Sequence, residues 1–242
     1  MKAQRQNPMS FSEHGQKTYR RHSLLRRNPA LSREAFSTHY ELTHGPLASS
    51  QEGFRQFASR YIQNHVERLP DDSEPVFDGV TMTTQIPRDD YTKGFFNHPD
   101  YANVQDDERY LFDIAKTVSL LGWEDVVLDG PTTRFKALLL MASAAFTQDG
   151  LRAASRIVAN HLDVKTASAL GFSKGAFSYD LLVEAWFNEV PARTDAYREY
   201  APRGEGLPSI FLPVREVLVY GPDKPWIGAN TPDATASSRI PS

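Results

Sequence analysis

Two stretches of this 242-residue chain end in the same way. Residues 123–131 (WEDVVLDGP) and 214–222 (VREVLVYGP) each carry a β-type run with an acid beside a valine, and each stops at Gly-Pro. Residues 77–85 (FDGVTMTTQ) and 179–187 (YDLLVEAWF) match as well: each opens on an aromatic-Asp pair and continues as a strand. The beginnings correspond too. SLLRR at 23–27 reads as a short strand, followed by a loop and by Ser32 as N-cap of a helix over 33–43, with Phe36 and Tyr40 on one face. In the second half 135–141 is the strand and Thr147 the N-cap, and Leu151, Ala154, Ile157, Val158 and His161 follow a helical period.

The same order therefore occurs twice: strand, helix, strand, strand, helix, strand. This predicts an α+β fold of two tandem βαββαβ repeats, 17–130 and 131–222, divided at Gly130-Pro131. The ends, 1–16 and 223–242, are rich in Ser, Pro, Ala and polar residues and are expected to be flexible. An antiparallel sheet with helices on one face needs cover on its other face. Here the second repeat supplies that cover, so the expectation is a barrel closed within one chain, with helices outside. Such a barrel serves either as a monomer or as half of a homodimer.

Composition narrows the function. A net charge of −3 gives no footprint for nucleic acid. The pairs Arg20-Arg21 and Arg26-Arg27 flank the first strand and read as solvated strand ends. With no cysteine, disulfides, thiolate metal sites and a cysteine nucleophile are excluded. Residues 1–16 lack the apolar centre of a signal peptide, and the apolar run 137–146 is shorter than the ~20 residues a membrane helix needs. A cytoplasmic protein without a membrane partner is expected.

The richest segment for chemistry is 35–47 (AFSTHYELTHGPL). His44 follows Phe36 and Tyr40 along the edge of the apolar stripe and is expected at a helix C-terminus before a Gly-Pro turn. There the helix dipole favours the imidazolium, and either a C-capping or a catalytic role fits. His39 faces the flank and reads as structural. His65 lies on a strand over 60–66 that puts Tyr61, Gln63 and His65 on one face, unusually polar for a core. Asp78, repeated at Asp180, sits beside a turn and is kept as a candidate substrate contact. His98 precedes a proline and either ends a helix or faces the pocket from a loop. No HExxH, glycine-rich phosphate loop or GxSxG occurs. What remains is cofactor-free acid–base chemistry or simple binding.

LLRRNPALSREAFSTHYELTHGPLA (24–48) resembles the opening of EthD-type domains, which belong to the dimeric α+β barrel superfamily with its ferredoxin-like units. The shared pattern is a strand, a Pro-containing loop, an S/T-x-E-x-F helix start and a terminal H-(A/G)-P-L. RYIQNHV is similar to the second strand of these domains, FDGV to the third, and HPDYANVQDDERYLFD to the segment with the second helix. The resemblance covers most of 18–129. The second half is a degenerate copy: Glu184 and Trp186 keep the family's third-strand pair, but the place of His44 falls near Ala159 or, with a two-residue slip, His161, and no Gly-Pro follows. One competent site, in the first half, is expected.

The resemblance implies a cofactor-free lyase or isomerase, performing decarboxylation, cyclisation or dehydration by proton transfer next to a carbonyl. Its substrate would be a hydrophobic aromatic or polyketide-like small molecule of secondary metabolism. His44 would be the base or acid, with His65 or His98 stabilising an enolate. Tyr40, Tyr61 and Asp78 would bind substrate polar groups, and Phe36, Phe95 and Trp123 would supply apolar walls. The alternatives are a binding protein that shapes an intermediate without catalysis, and an oxygenase or haem-type member of the superfamily. Fold alone does not choose among them.

Overall fold

Eight strands form the frame in the computed structural model, which describes residues 19–86, 94–166, 177–200 and 209–222. The segments 1–16 and 223–242, expected to be flexible, lie outside these residues. The strands are β1 (Tyr19–Leu25), β2 (Ala58–Val66), β3 (Gly79–Gln85), β4 (Val118–Leu128), β5 (Phe135–Met141), β6 (Ala154–Asp163), β7 (Leu181–Phe187) and β8 (Ile210–Tyr220). All neighbours are antiparallel, and the order β1-β3-β2-β8-β5-β7-β6-β4 closes on itself as a barrel. Each half of the chain supplies four adjacent strands, β4-β1-β3-β2 and β8-β5-β7-β6, joined at the β2–β8 and β4–β6 seams. The fold is thus α+β, an antiparallel closed barrel with few helices.

The pleat sends alternate side chains to opposite faces of the barrel wall. Leu24, Ile62, Val80, Leu120, Leu138, Leu182 and Val214 point inward and fill one end of the lumen. Their odd-numbered neighbours point outward, where the helices cover them. Helix α1 (Arg33–His39) starts at Ser32, whose Oγ accepts the Ala35 N–H at 3.0 Å, as the sequence predicts. Three further helices, α3 (Glu52–Phe57), α4 (Ala102–Leu111) and α5 (Val190–Tyr200), complete the outer layer with α2, described next.

Three expectations fail, each for a physical reason. First, the helix does not stop at Gly45-Pro46. It passes through a π-turn, Tyr40–His44, into α2 (Gly45–Ser50). Proline at the first turn of α2 sacrifices no hydrogen bond, and the π-turn carries the Gly45 N–H to Tyr40 O. Gly45 also lies close to the sheet: a Cβ there would come within 2.9 Å of Gln63 Nε2 and 3.1 Å of Val219.

Second, no helix follows Thr147. The stretch holds two 3₁₀ turns, Ser143–Ala145 and Asp149–Leu151, and then β6. Ile157 and Ala159 pack outward while Val158 and Leu162 are buried on the other face. A strand covered on both faces loses its alternation, and its apolar residues then mimic a helical period.

Third, Arg20 and Arg21 are not solvated strand ends. They sit within β1 on opposite faces, and both are largely withdrawn from solvent. Arg20 points into the lumen, where its Nη1 donates to Glu184 Oε1 at 2.8 Å and its Nη2 to Glu124 Oε2 at 2.5 Å. Lys136 Nζ bridges Glu184 Oε2 at 2.6 Å and Glu216 Oε2 at 2.5 Å. Lysine attraction, reinforced by Arg20, overcomes burial and holds the Glu184 carboxyl at about 2. Arg26 and Arg27, for their part, are tied down by Asp78.

Two buried histidines couple this fold to pH. Burial, aided by the Arg20 charge, holds His22 at about 3; burial, aided by Arg215, holds His65 at about 4. Both lie below the ~6.5 of an unfolded histidine, so in that interval the unfolded chain binds protons that the native state refuses. Stability is complete above about pH 6.5 and declines as pH falls, by up to about 1.4 kcal/mol per pH unit for each histidine. Urea midpoints should therefore drop between about pH 6.5 and 5, above the range where carboxylates titrate. The double variant His22→Gln/His65→Gln should flatten that dependence; a wild-type midpoint constant over this range would contradict the assignment.

Candidate active site

The outer face of the first four strands differs in chemistry from that of the last four. In the second half, Ala137, Leu139, Val183, Ala185 and Phe211 make an apolar bed for α5. In the first half, Arg21, Ser23, Tyr61, Thr81, Thr83 and Gln85 look outward beneath the helices. Between this polar face and the helical layer lies a cavity of about 70 Å³. Phe54, Phe57, Phe95, Phe96 and Phe112 supply most of its apolar wall, with Ala48 and Val104. Apolar walls around a few polar groups are the usual makeup of a small-molecule site.

His44 lines this cavity, and its partner comes from α4. Its Nδ1 lies 2.8 Å from Asp107 Oδ2, while the other carboxylate oxygen of Asp107 is 2.5 Å from His39 Nε2. Burial works against the Asp107 charge, yet the hydrogen bonds from His44 and His39 prevail and hold the carboxyl below its usual range. An ionised carboxylate at Nδ1 fixes the proton there and leaves Nε2 as the basic nitrogen. Nε2 has no hydrogen-bond partner among the described residues. The dipole effect expected at a helix C-terminus is replaced by this carboxylate, because the helix continues past His44.

Two more charged side chains face the cavity. Glu108 is buried, which raises its carboxyl above the ordinary value, and the Tyr101 hydroxyl donates to it. Arg21 is also buried; desolvation brings its guanidinium down to about 10, and it lies 4.5 Å over the Phe96 ring. Its Nη1 has no hydrogen-bond partner among the described residues. Tyr61 is oriented by Gln63, whose Nε2 donates to the Tyr61 hydroxyl at 2.9 Å and to Tyr40 O at 2.6 Å. The Tyr61 hydroxyl thus accepts from Gln63, with Thr81 and Tyr40 as further hydrogen-bonding neighbours.

Of the sequence-selected residues, His44, Tyr61 and Phe95 line the cavity together. The others stand elsewhere. His65 Nδ1 is 2.8 Å from Ser37 Oγ and its Nε2 is 3.3 Å from Gln63 Oε1, so it fastens α1 to β2 from outside the cavity. His98 accepts the Asp100 N–H at 3.3 Å and lies so close to Gly53 that a Cβ there would meet Nδ1 at 2.1 Å. It locks α3 against the 3₁₀ turn Pro99–Tyr101. Tyr40 sits behind the wall, its hydroxyl 2.5 Å from Thr81 Oγ1. Phe36 packs with Leu25, Leu111 and Phe112. Asp78 accepts from the Arg27 N–H and Nε–H, each at 3.0 Å, and serves the backbone rather than a ligand. Trp123 stacks on His161, 5.6 Å between ring centroids, and does not line the cavity.

Asp107, Glu108 and Arg21 were not singled out from the sequence. Glu108 carried a signal: with Val104 and Leu111 it occupies the buried stripe of α4, where an acid is out of place. Arg21 carried one only once β1 was extended back to Tyr19. The pairing of Asp107 with His44 is a contact across 63 positions with no local trace.

The tautomer is directly measurable. Nitrogen-15 NMR should show His44 protonated on Nδ1 near neutral pH, and Asp107→Ala should shift the neutral ring toward the Nε2-protonated form. An unchanged tautomer in Asp107→Ala would remove Asp107 from this role.

No curated protein sequence matches the chain. Among solved structures, an anthrone oxidase-like protein aligns with TM-score 0.44 at 10% identity, covering 86% of this chain and 96% of that one. A putative monooxygenase from Lactobacillus acidophilus aligns with TM-score 0.41 at 6% identity, covering 84% and 96%. A mutant chlorite dismutase from Candidatus Nitrospira defluvii gives 0.41 at 9%, covering 83% and 92%. Residues 28–115 match a family model, and every cavity-lining residue except Arg21, Ser23 and Leu25 falls inside that match. The segment that builds most of the cavity, residues 28–115, is thus similar to the EthD domain, whose family model it matches.

Proposed function

We propose that the protein is an enzyme that moves a proton at a carbon beside a carbonyl group of a small aromatic or polyketide-like molecule. The observation that carries this reading is the convergence of the His44–Asp107 pair, Glu108 and the unpaired Arg21 on one phenylalanine-walled cavity. His44 Nε2 takes the proton from carbon, and the electron pair moves onto the carbonyl oxygen as an enolate. Arg21 supplies positive charge to that oxygen, and the Thr81, Thr83 and Tyr61 hydroxyls supply hydrogen bonds. Glu108, whose carboxyl burial raises above its ordinary value, exchanges a proton at the position where the product needs it. The same enolate arises when a β-keto acid loses CO₂, so decarboxylation, dehydration, cyclisation and isomerisation all lie within reach of these groups.

Among the described residues no cluster of His, Asp and Glu has the arrangement of a metal site. We further read the two halves as copies of one unit, supported by the equivalent strand orders β4-β1-β3-β2 and β8-β5-β7-β6. In that reading the second copy has lost its first helix and its pocket, and serves as the partner that closes the barrel.

The test uses a panel of aromatic β-keto acids and hydroxylated aromatic ketones in D₂O, with CO₂ release and deuterium uptake followed by mass spectrometry. Wild-type protein should accelerate one or more of them. His44→Ala should lower kcat by about 10²–10⁴-fold, and Arg21→Gln should lower kcat/KM while leaving the fold intact. Turnover unaffected by His44→Ala would sink the assignment.

A further inference from the structure

The barrel lumen, on the opposite face of the wall from the cavity above, gathers polar atoms that no neighbour satisfies. Arg20 Nε, His22 Nδ1 and Nε2, Asn64 Oδ1, Asn160 Oδ1, Trp186 Nε1 and Glu216 Oε1 are buried and without hydrogen-bond partners among the described residues. They belong to inward-facing positions of β1, β2, β6, β7 and β8. Most buried polar atoms in proteins are paired, and each orphan costs stability, so a concentration of them in one place calls for an occupant. Space is present: a cavity of about 530 Å³ opens at this end, lined by Arg20, Arg60, Glu124, Glu184, Trp186 and Glu216 among others.

Charge and hydrogen-bond balance select the kind of occupant. The cations Arg20, Arg60, Lys136 and Arg156 stand against the carboxylates Glu124, Glu184, Glu216 and, at the mouth, Asp129, which pairs with Arg156. The cluster is formally balanced. An ionic ligand would leave one charge uncompensated in a partly dry site, which is costly. The orphans on residues that line the cavity include donors (the Arg20 and Trp186 N–H groups) and an acceptor (a Glu216 oxygen). A hydroxyl group donates and accepts through one oxygen. Ile62, Val126 and Val158 add apolar surface beside these groups, suited to the C–H face of a polyol ring.

We propose that the barrel lumen is a second ligand site, for a small neutral polyhydroxylated molecule such as a cyclic polyol or monosaccharide. It is independent of the proton-transfer reading, because it uses none of the residues of the helix-side cavity.

The experiment follows the Trp186 indole N–H by NMR in the full-length protein during titration with myo-inositol and D-glucose. Sodium acetate and methylammonium chloride serve as anionic and cationic controls. A saturable shift of Trp186 with at least one polyol, and none with either salt, is expected. Trp186→Phe, followed by calorimetry, should weaken binding about tenfold. Val126→Trp, at a rim position that is 51% exposed, should abolish the response by filling the mouth while the rest of the spectrum is preserved. Should that variant not fold, Thr132→Trp on the same rim gives the equivalent reading. No response to either polyol would mean that water alone satisfies the lumen, and a response to the salts alone would mean a charged ligand; either outcome overturns the proposal.

Discussion

The barrel depends on a charged contact made inside it. Arg20 on β1 reaches across the lumen to Glu184 on β7, and Lys136 on β5 ties that same carboxylate to Glu216 on β8. One strand comes from the first half of the chain and three from the second, so the network spans the two sets of four strands. Buried ion pairs seldom add net stability, because desolvation consumes most of the Coulomb gain. What this one contributes is a penalty for any other arrangement: with the halves shifted by one residue, each charge would turn to the opposite face of the wall. Register at the seams and closure of the barrel are thereby set together.

Closure leaves the outer face of each half free to specialise, and the two have done so differently. The second half places small and branched apolar residues under α5 and makes an ordinary core. The first half places arginine, threonine, glutamine and tyrosine under α1–α4. A polar sheet face under helices stabilises poorly, and it persists only where hydrogen bonds or a ligand compensate. Gln63 shows the compensation: it is fully buried, yet it donates to Tyr40 O and to the Tyr61 hydroxyl. Arg21 shows where compensation is incomplete, which is why the cavity rather than the core is the natural reading of this face.

The strands were legible because each half pairs its strands locally and marks their ends with Gly-Pro or aromatic-Asp steps. FDGV and RYIQNHV give β3 and β2 close to their observed bounds, and Ser32 caps α1 as its sequence indicates. The helix after Thr147 was misread because burial on both faces erases the period-two signal of β6. Among the site residues, His44 stood out because its helix carries Phe36 and Tyr40 on the same face. His65 and His98 drew attention as histidines, but both act as hydrogen-bonded fasteners. Asp107 was invisible: a surface-type acid in the run QDDER acquires a role only when α4 is laid against the π-turn, a tertiary event with no sequence-local cause.

That π-turn explains how a helix bearing Gly-Pro can present an imidazole to the cavity. In a regular helix, a step of four residues overshoots one turn, so Phe36, Tyr40 and His44 would drift progressively around the axis. The wider π-turn over Tyr40–His44 reverses the drift and keeps His44 above Tyr40, 5.8 Å between ring centroids and buried with it. Pro46 can neither donate to the ladder nor tolerate a regular turn beneath its ring, which makes the widening cheap at this place. Gly45 lets the helix settle onto Gln63 and Val219. The HGPL sequence is therefore more than a terminator: it bends the hydrogen-bond ladder so that an imidazole reaches Asp107 on one side and the cavity on the other.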